Sequence, residues 1–156
     1  MTSQMNLYQQ MILDHNRKPK NFRVIESASH KAEGFNPLCG DHLWVYLTLN
    51  DQECIEDISF QGSGCAISKA SASMMTAALK GKSKDEAQQL FEQFHSLLKG
   101  DLRPDDMDHD LGKLKIFAGI WQFPSRIKCA GLAWHAMNGA LANQTNPVCT
   151  EKEEGQ

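Results

Sequence analysis

Four residues of this 156-residue chain have the types and settings that hold a soft metal ion: Cys39, Asp41, Cys65 and Cys129. Cys39 and Asp41 flank a glycine in Asn36-Pro37-Leu38-Cys39-Gly40-Asp41. Glycine lets the backbone turn tightly enough for a thiolate and a carboxylate to face one point. Cys65 follows the turn Gly62-Ser63-Gly64, at the predicted start of a helix. Cys129 ends Pro124-Ser125-Arg126-Ile127-Lys128-Cys129 and reads as a first-turn residue of the last helix. Backbone N–H groups and the helix dipole favour an anion at such positions, so both cysteines are expected to be thiolates. Three sulfurs and one carboxylate suit tetrahedral zinc, or iron in a cluster. Closed structural zinc sites use cysteine and histidine, whereas a carboxylate is a harder, more easily displaced donor. The aspartate therefore predicts a centre that opens, exchanges a ligand or passes on what it holds. Arg126 and Lys128 are the cations expected to offset its negative charge.

The totals leave room for this reading. With 156 residues, 41% of them hydrophobic, the chain is long enough for one domain with its own core, expected to span residues 1–156. A metal is then not needed to hold the fold together. The formal net charge of -3 is spread in both signs, with no polybasic track, which argues against nucleic-acid binding. No apolar run approaches the ~20 residues that cross a bilayer. The N-terminus lacks the basic-then-apolar pattern of a secretory signal, so a cytoplasmic protein with reduced thiols is expected. Five scattered cysteines make a poor disulfide framework. Taken singly, each is a small buried side chain as readily as a ligand, and no Cys-x-x-Cys pair occurs. Cys54, placed in a strand, and Cys149, placed in a polar tail, are read as bystanders.

The elements that must position the four residues follow from periodicity. Met5, Tyr8 and Ile12 predict a helix over 4–16, stopped at Pro19; His15 at its end would complement the dipole as a cation. A short strand over 30–35 leads into the Asn36-Pro37…Gly40 turn. Leu43, Val45, Leu47 and Leu49 alternate with Trp44, Tyr46 and Thr48, a half-buried strand. A third strand is predicted over 54–61. After Gly64 the period becomes helical through Cys65, Ser68, Ala72, Met75 and Leu79. Gly81 closes that helix and Ser83-Lys84-Asp85-Glu86 opens the next as a capping box. The acidic stretch 100–112 lacks the order of a calcium loop and reads as solvated. Leu114, Phe117 and Trp121 predict a short helix, and a last helix begins at Ser125 or Arg126. Residues from about 143 read as a polar, frayed tail.

Three segments carry a resemblance. Asn36-Pro37-Leu38-Cys39-Gly40-Asp41, Gly62-Ser63-Gly64-Cys65-Ala66-Ile67-Ser68 and Arg126-Ile127-Lys128-Cys129-Ala130 resemble, in order, the signatures of the U-type iron–sulfur cluster assembly proteins. Leu7-Tyr8, Ile12-Leu13-Asp14-His15 and Pro19-Lys20-Asn21-Phe22 match as well, so the likeness runs from about Leu7 to Leu141. Lys128 stands where the IscU scaffold branch has a histidine, and the connection between Cys65 and Cys129 is longer; both features are similar to the SufU branch.

The resemblance implies an α+β fold: a three-stranded antiparallel sheet with helices packed on it. It implies zinc at Cys39, Asp41, Cys65 and Cys129, and a cysteine desulfurase partner whose own pyridoxal phosphate and persulfide cysteine do the desulfuration. The expectation is zinc-dependent sulfur transfer, with Cys39 as persulfide acceptor and Arg126 assisting docking or the thiolate. Downstream assembly or acceptor proteins would receive the sulfur. Two alternatives stand beside it. One is a scaffold on which a labile [2Fe-2S] cluster is built and passed on. The other is a structural zinc module that only docks partners.

Overall fold

The structure is a computed structural model describing residues 2–103, 110–118, 120–143 and 148–149, with the side chains of 2–8, 121, 148 and 149 excepted. The acidic residues 105–108, the Trp121 side chain and most of the predicted tail lie outside the described residues.

Helix α1 (Thr2–Arg17) comes first, followed by strands β1 (His30–Asn36), β2 (Asp41–Leu49) and β3 (Ile55–Ser63). Helices α2 (Ala66–Leu79) and α3 (Lys84–Leu98) follow, then α4 (Pro124–Leu141) and a last strand, β4 (Val148–Cys149). β1 and β2 pair antiparallel from His30↔Leu47 to Asn36↔Asp41. β2 and β3 pair antiparallel from His42↔Ser63 onward, with a register shift at Thr48/Leu49. The predicted antiparallel meander is present, and the predicted tail adds to it: β4 runs parallel to β1 at Gly34 and Phe35, giving the order β3-β2-β1-β4. The other edge is covered too. Residues 21–23 lie along β3, with Phe60 N–H donating to Asn21 O and Arg23 N–H to Phe60 O.

The alternation of β2 decides which face is the core. Leu43, Val45 and Leu47 are fully buried, and α4 packs over β1 and β2 while α2 packs against β3 and α4. A side chain at Gly34 would meet Leu132 and Ala136 of α4 at 3.1 and 3.3 Å, so the absent side chain lets the helix sit down on the sheet. Trp134, Phe94 and Phe117 complete the core, with Phe94 stacked on Trp134. The predicted capping box of α3 is formed, with Ser83 and Glu86 each bonding the other's backbone N–H. The stretch read as one short helix is instead two 3-10 segments, Gly112–Phe117 and Ile120–Gln122, without a side-chain cap on the first. Runs this short are where 3-10 geometry competes with the α-helix. No helix among the described residues is long and apolar enough to cross a membrane.

His135 of α4 is wedged between Phe91 and His95 of α3. Burial pushes its pKa down to about 4, with the charge of His95 as the second cause. Between pH 6.5 and 4 the unfolded chain takes up a proton that the native His135 refuses, so its contribution to stability is complete above 6.5 and falls as pH drops. His135→Gln is expected to reduce the stability lost between pH 7 and pH 5 by about 2 kcal/mol, read from urea unfolding at the two pH values.

Candidate metal centre

β2 carries Asp41 inward for the reason it buries leucines. Asp41, Leu43, Val45 and Leu47 are successive members of one face, and Asp41 is fully buried at the end of that row. His42, one residue on, points the other way. It bonds Glu33, stacks on Trp44 and meets Phe35 edge-on, all on the outer face of the sheet. Its place beside Asp41 in sequence therefore does not bring it to the metal-binding side.

The Pro37-Leu38-Cys39-Gly40 loop closes the β1–β2 hairpin, with Gly40 at φ +72°, and holds Cys39 exposed. Two glycines after β2's partner fix the other side. Gly62 sits at φ +135°, and a Cβ there would lie 2.1 Å from the His42 carbonyl oxygen. At Gly64 a Cβ would lie 2.8 Å from Asp41 Oδ1 and 3.2 Å from Ser68 Oγ. The bare backbone at Gly64 lets the Cys65 N–H reach Asp41 Oδ1 at 2.8 Å. Cys65 is itself the N-cap of α2, its sulfur accepting from the Ser68 N–H at 3.4 Å.

Cys129 comes from the opposite direction, on α4, and is buried. It is the sixth residue of that helix rather than a first-turn residue, because Pro124 occupies the first position. The one-sulfur-to-another contact is close: Cys129 Sγ and Cys39 Sγ are 3.0 Å apart. One ligand atom each from Cys39, Asp41 and Cys129 lies within 4.8 Å of the other two. Cys65 stands beside this group through its N–H on Asp41, but its sulfur is not among the atoms that meet within that distance.

Contact between the two helix thiols shifts their acidities in opposite directions. The bond from Cys129 lowers the Cys65 pKa to about 7, burial opposing and the Ser68 N–H assisting. Cys129 is pushed strongly upward, first by its contact with Cys65 and then by burial. Being past the free N–H groups of its helix, Cys129 gains little from the dipole.

Two orphaned atoms test whether the donor set fits a cation. Asp41 Oδ2 is buried with no hydrogen-bond partner among the described residues. So is Asn36 Oδ1, while Asn36 Nδ2 points at Cys129 Sγ from 3.8 Å. A buried carboxylate oxygen without a donor is costly unless a cation is beside it. Soft sulfurs within reach of that oxygen are what zinc takes. The residues present thus fit the ion.

Arg126 is exposed, and its guanidinium lies over the Phe123 ring, 4.8 Å from its centroid. Phe123 is 49% exposed, and Leu38, in the loop that carries Cys39, is 69% exposed. Cys54 is half-buried, bridged to Ser83, and Cys149 lies in β4. Sequence reasoning passed over Asn36, Gly64 and Ser68. Asn36 had a signal, since it faces Asp41 across the hairpin; the other two announce themselves only when the turns are superposed in space.

The chain matches the model of the NifU-like N-terminal domain over residues 7–142. It belongs to this family. It is 40% identical over 138 residues to a Bacillus subtilis (strain 168) protein named zinc-dependent sulfurtransferase SufU, covering 88% of this chain and 91% of that one. It is 39% identical over 141 residues to a Streptococcus pyogenes protein named iron–sulfur cluster assembly scaffold protein IscU, covering 90% and 86%. A Fervidobacterium islandicum structure, described as an iron–sulfur cluster assembly scaffold for the SUF system, superposes with TM-score 0.75 at 30% identity over 85% of this chain and 94% of that one. The N-terminal part of a NifU-like protein from Brucella abortus shares the fold, at TM-score 0.77 and 20% identity, with coverage of 87% and 92%. Family members therefore share the three-stranded antiparallel sheet and its covering helices.

Gly64→Ala is expected to lower stability by about 1–3 kcal/mol in urea unfolding, since the new methyl drives against a carboxylate already held by the Cys65 N–H.

Proposed function

We propose that this chain is an iron–sulfur cluster assembly protein of the SUF type that accepts sulfane sulfur from a cysteine desulfurase at Cys39. The observation that carries the reading is the meeting of Cys39, Asp41 and Cys129, with Cys65 beside them, at a place where only Cys39 is exposed. Relatives named for zinc-dependent sulfur transfer and for iron–sulfur assembly support it.

Cys39, Asp41, Cys65 and Cys129 would hold zinc. When bound, the ion would keep these thiols deprotonated at neutral pH and offset the buried carboxylate charge. The division of labour follows from exposure. Cys65 and Cys129 are rooted in helices and stay; Cys39, on a four-residue hairpin loop, can turn outward. Its thiolate attacks the terminal sulfur of the partner's persulfide. A new sulfur–sulfur bond forms at Cys39, the partner's sulfur–sulfur bond breaks, and the partner's cysteine leaves as thiolate. Asp41, held through one oxygen only, sets how readily the centre gives up a ligand. Arg126, Phe123 and Leu38 form the rim on which the desulfurase would dock, with Arg126 assisting that contact. Downstream assembly or acceptor proteins would then collect the sulfur. A cytoplasmic setting, where thiols stay reduced, suits this chemistry.

A scaffold role is the second reading, favoured by the three convergent thiols and by the name of the Streptococcus pyogenes relative. Anaerobic reconstitution with iron and sulfide separates the two: a stoichiometric cluster handed intact to an apo acceptor would favour the scaffold.

Cys39→Ser is expected to abolish uptake of labelled sulfane sulfur and the acceleration of desulfurase turnover. Wild-type rates in that variant would overturn the assignment of Cys39. Asp41→Cys is expected to hold zinc more tightly in competition with a chelator and to slow sulfur transfer. Full activity together with tighter binding would show that ligand exchange is irrelevant and leave a docking module.

A further inference from the structure

Two cavities share His15 and Lys20 at the end of α1, and neither is lined by the thiols or by Asp41. The smaller, about 300 Å³, has Met74, Ala77 and Leu114 in its apolar wall and His15, Lys20 and Lys113 as its polar groups. The larger, about 420 Å³, adds Arg17 and Lys18, with Asp14 as the sole carboxylate among its described lining residues. That carboxylate is engaged, accepting from Gln10 Nε2 at 2.8 Å. Met74 is nine residues beyond Cys65, or roughly 13 Å along α2 at the helical rise.

Buried hydroxyls hold the His15 ring and the backbone of Lys20. Ser73 and Thr76 of α2 are fully buried. Ser73 Oγ accepts the Lys20 N–H at 2.8 Å, and Thr76 Oγ1, which donates to the Ser73 carbonyl at 2.7 Å, lies 3.4 Å from the Lys20 carbonyl. Asn21 Nδ2 donates to the same Thr76 hydroxyl at 3.0 Å. Ser73 Oγ also lies 2.7 Å from His15 Nδ1. Having accepted from Lys20, the serine hydroxyl has its own proton to give, and Nδ1 is the acceptor within reach. The neutral ring then carries its proton on Nε2, leaving a donor that Ser73 does not use.

Charge converges on this ring. Burial is the first cause that holds the His15 pKa below its ordinary value, Lys20 the next, with Lys113 adding to it and Asp14 opposing. Burial and the two lysines thus work against the charged form that a helix-terminal position would favour at His15. The last turn of a helix attracts cations, and that accounts for Arg17. It does not account for Lys113, which comes from the 3-10 segment Gly112–Phe117, or for an apolar wall beneath three positive or donating groups.

We propose that the cavity between α1, α2 and the Gly112–Phe117 segment binds a small organic anion. Its phosphate or carboxylate group sits among His15 Nε2, Lys20 and Lys113, and its apolar body rests on Met74, Ala77 and Leu114. The volume falls at the lower end of small-molecule pockets, about 300–1,000 Å³.

The test is titration of the full chain with phenyl phosphate, with inorganic phosphate for comparison, following the His15 ring by NMR. Saturable shifts of the His15 resonances are expected, with phenyl phosphate binding several-fold more tightly than inorganic phosphate and raising the His15 pKa. Lys20→Ala with Lys113→Ala is expected to weaken binding about tenfold, the loss of two solvent-exposed charge contacts. Both side chains are exposed, so the variant keeps its fold. Absence of a saturable shift, equal affinity for the two probes, or unchanged affinity in the double variant would overturn the proposal.

Discussion

The pleat of β2 is the constraint on which the centre depends. A strand alternates its side chains with a period of two, and three buried aliphatic residues fix which parity faces the helices. Asp41 shares that parity, so packing forces a carboxylate to the rim of the core. The hydrophobic effect there works against the hydration of a charge. The conflict is only half resolved within the chain: one oxygen receives the Cys65 N–H, the other receives nothing among the described residues. A site that is left in debt on its oxygen side and rich in sulfur on the other is a site made for a cation.

The surrounding turns then read as clearances around that carboxylate. Gly62 allows β3 to run against the His42 carbonyl, and Gly64 leaves the gap through which an N–H reaches Asp41. Cys65, as the N-cap of α2, has its sulfur positioned by the backbone of its own helix. Cys129 is delivered by α4, whose seat on the sheet depends on the missing side chain at Gly34. Cys39 alone is delivered by a loop. The four side chains thus rest on different supports, three on regular elements and one on a loop, and the role proposed for Cys39 rests on that difference.

Much of this was legible in the sequence. The alternation of Leu43, Val45 and Leu47, the helical period after Gly64 and the Ser83–Glu86 box are local signals, and local signals fix elements. What was not legible depended on counting from a boundary or on long-range register. Taking α4 to begin at Ser125 or Arg126 rather than Pro124 put Cys129 in a first turn, within reach of free N–H groups that the sixth residue does not meet. Two 3-10 segments carry the same apolar spacing as the helix expected over Leu114 to Trp121. The pairing of Val148–Cys149 with β1 has no signal at all in a polar stretch, because two residues are too few to show a period. Asn36 could have been found from its place opposite Asp41 once the hairpin was drawn.

The sheet has an occupied border on both sides where the described residues reach it: β4 against Gly34 and Phe35, and the strip 21–23 against Phe60. Open borders invite a foreign strand to zip on, and a bridge at these positions shortens the run of free backbone on offer. A protein built this way meets other molecules through its faces and its loops. The hairpin loop carrying Cys39 stands apart from both bridged positions, so an encounter of the kind proposed there would not have to pair with the sheet.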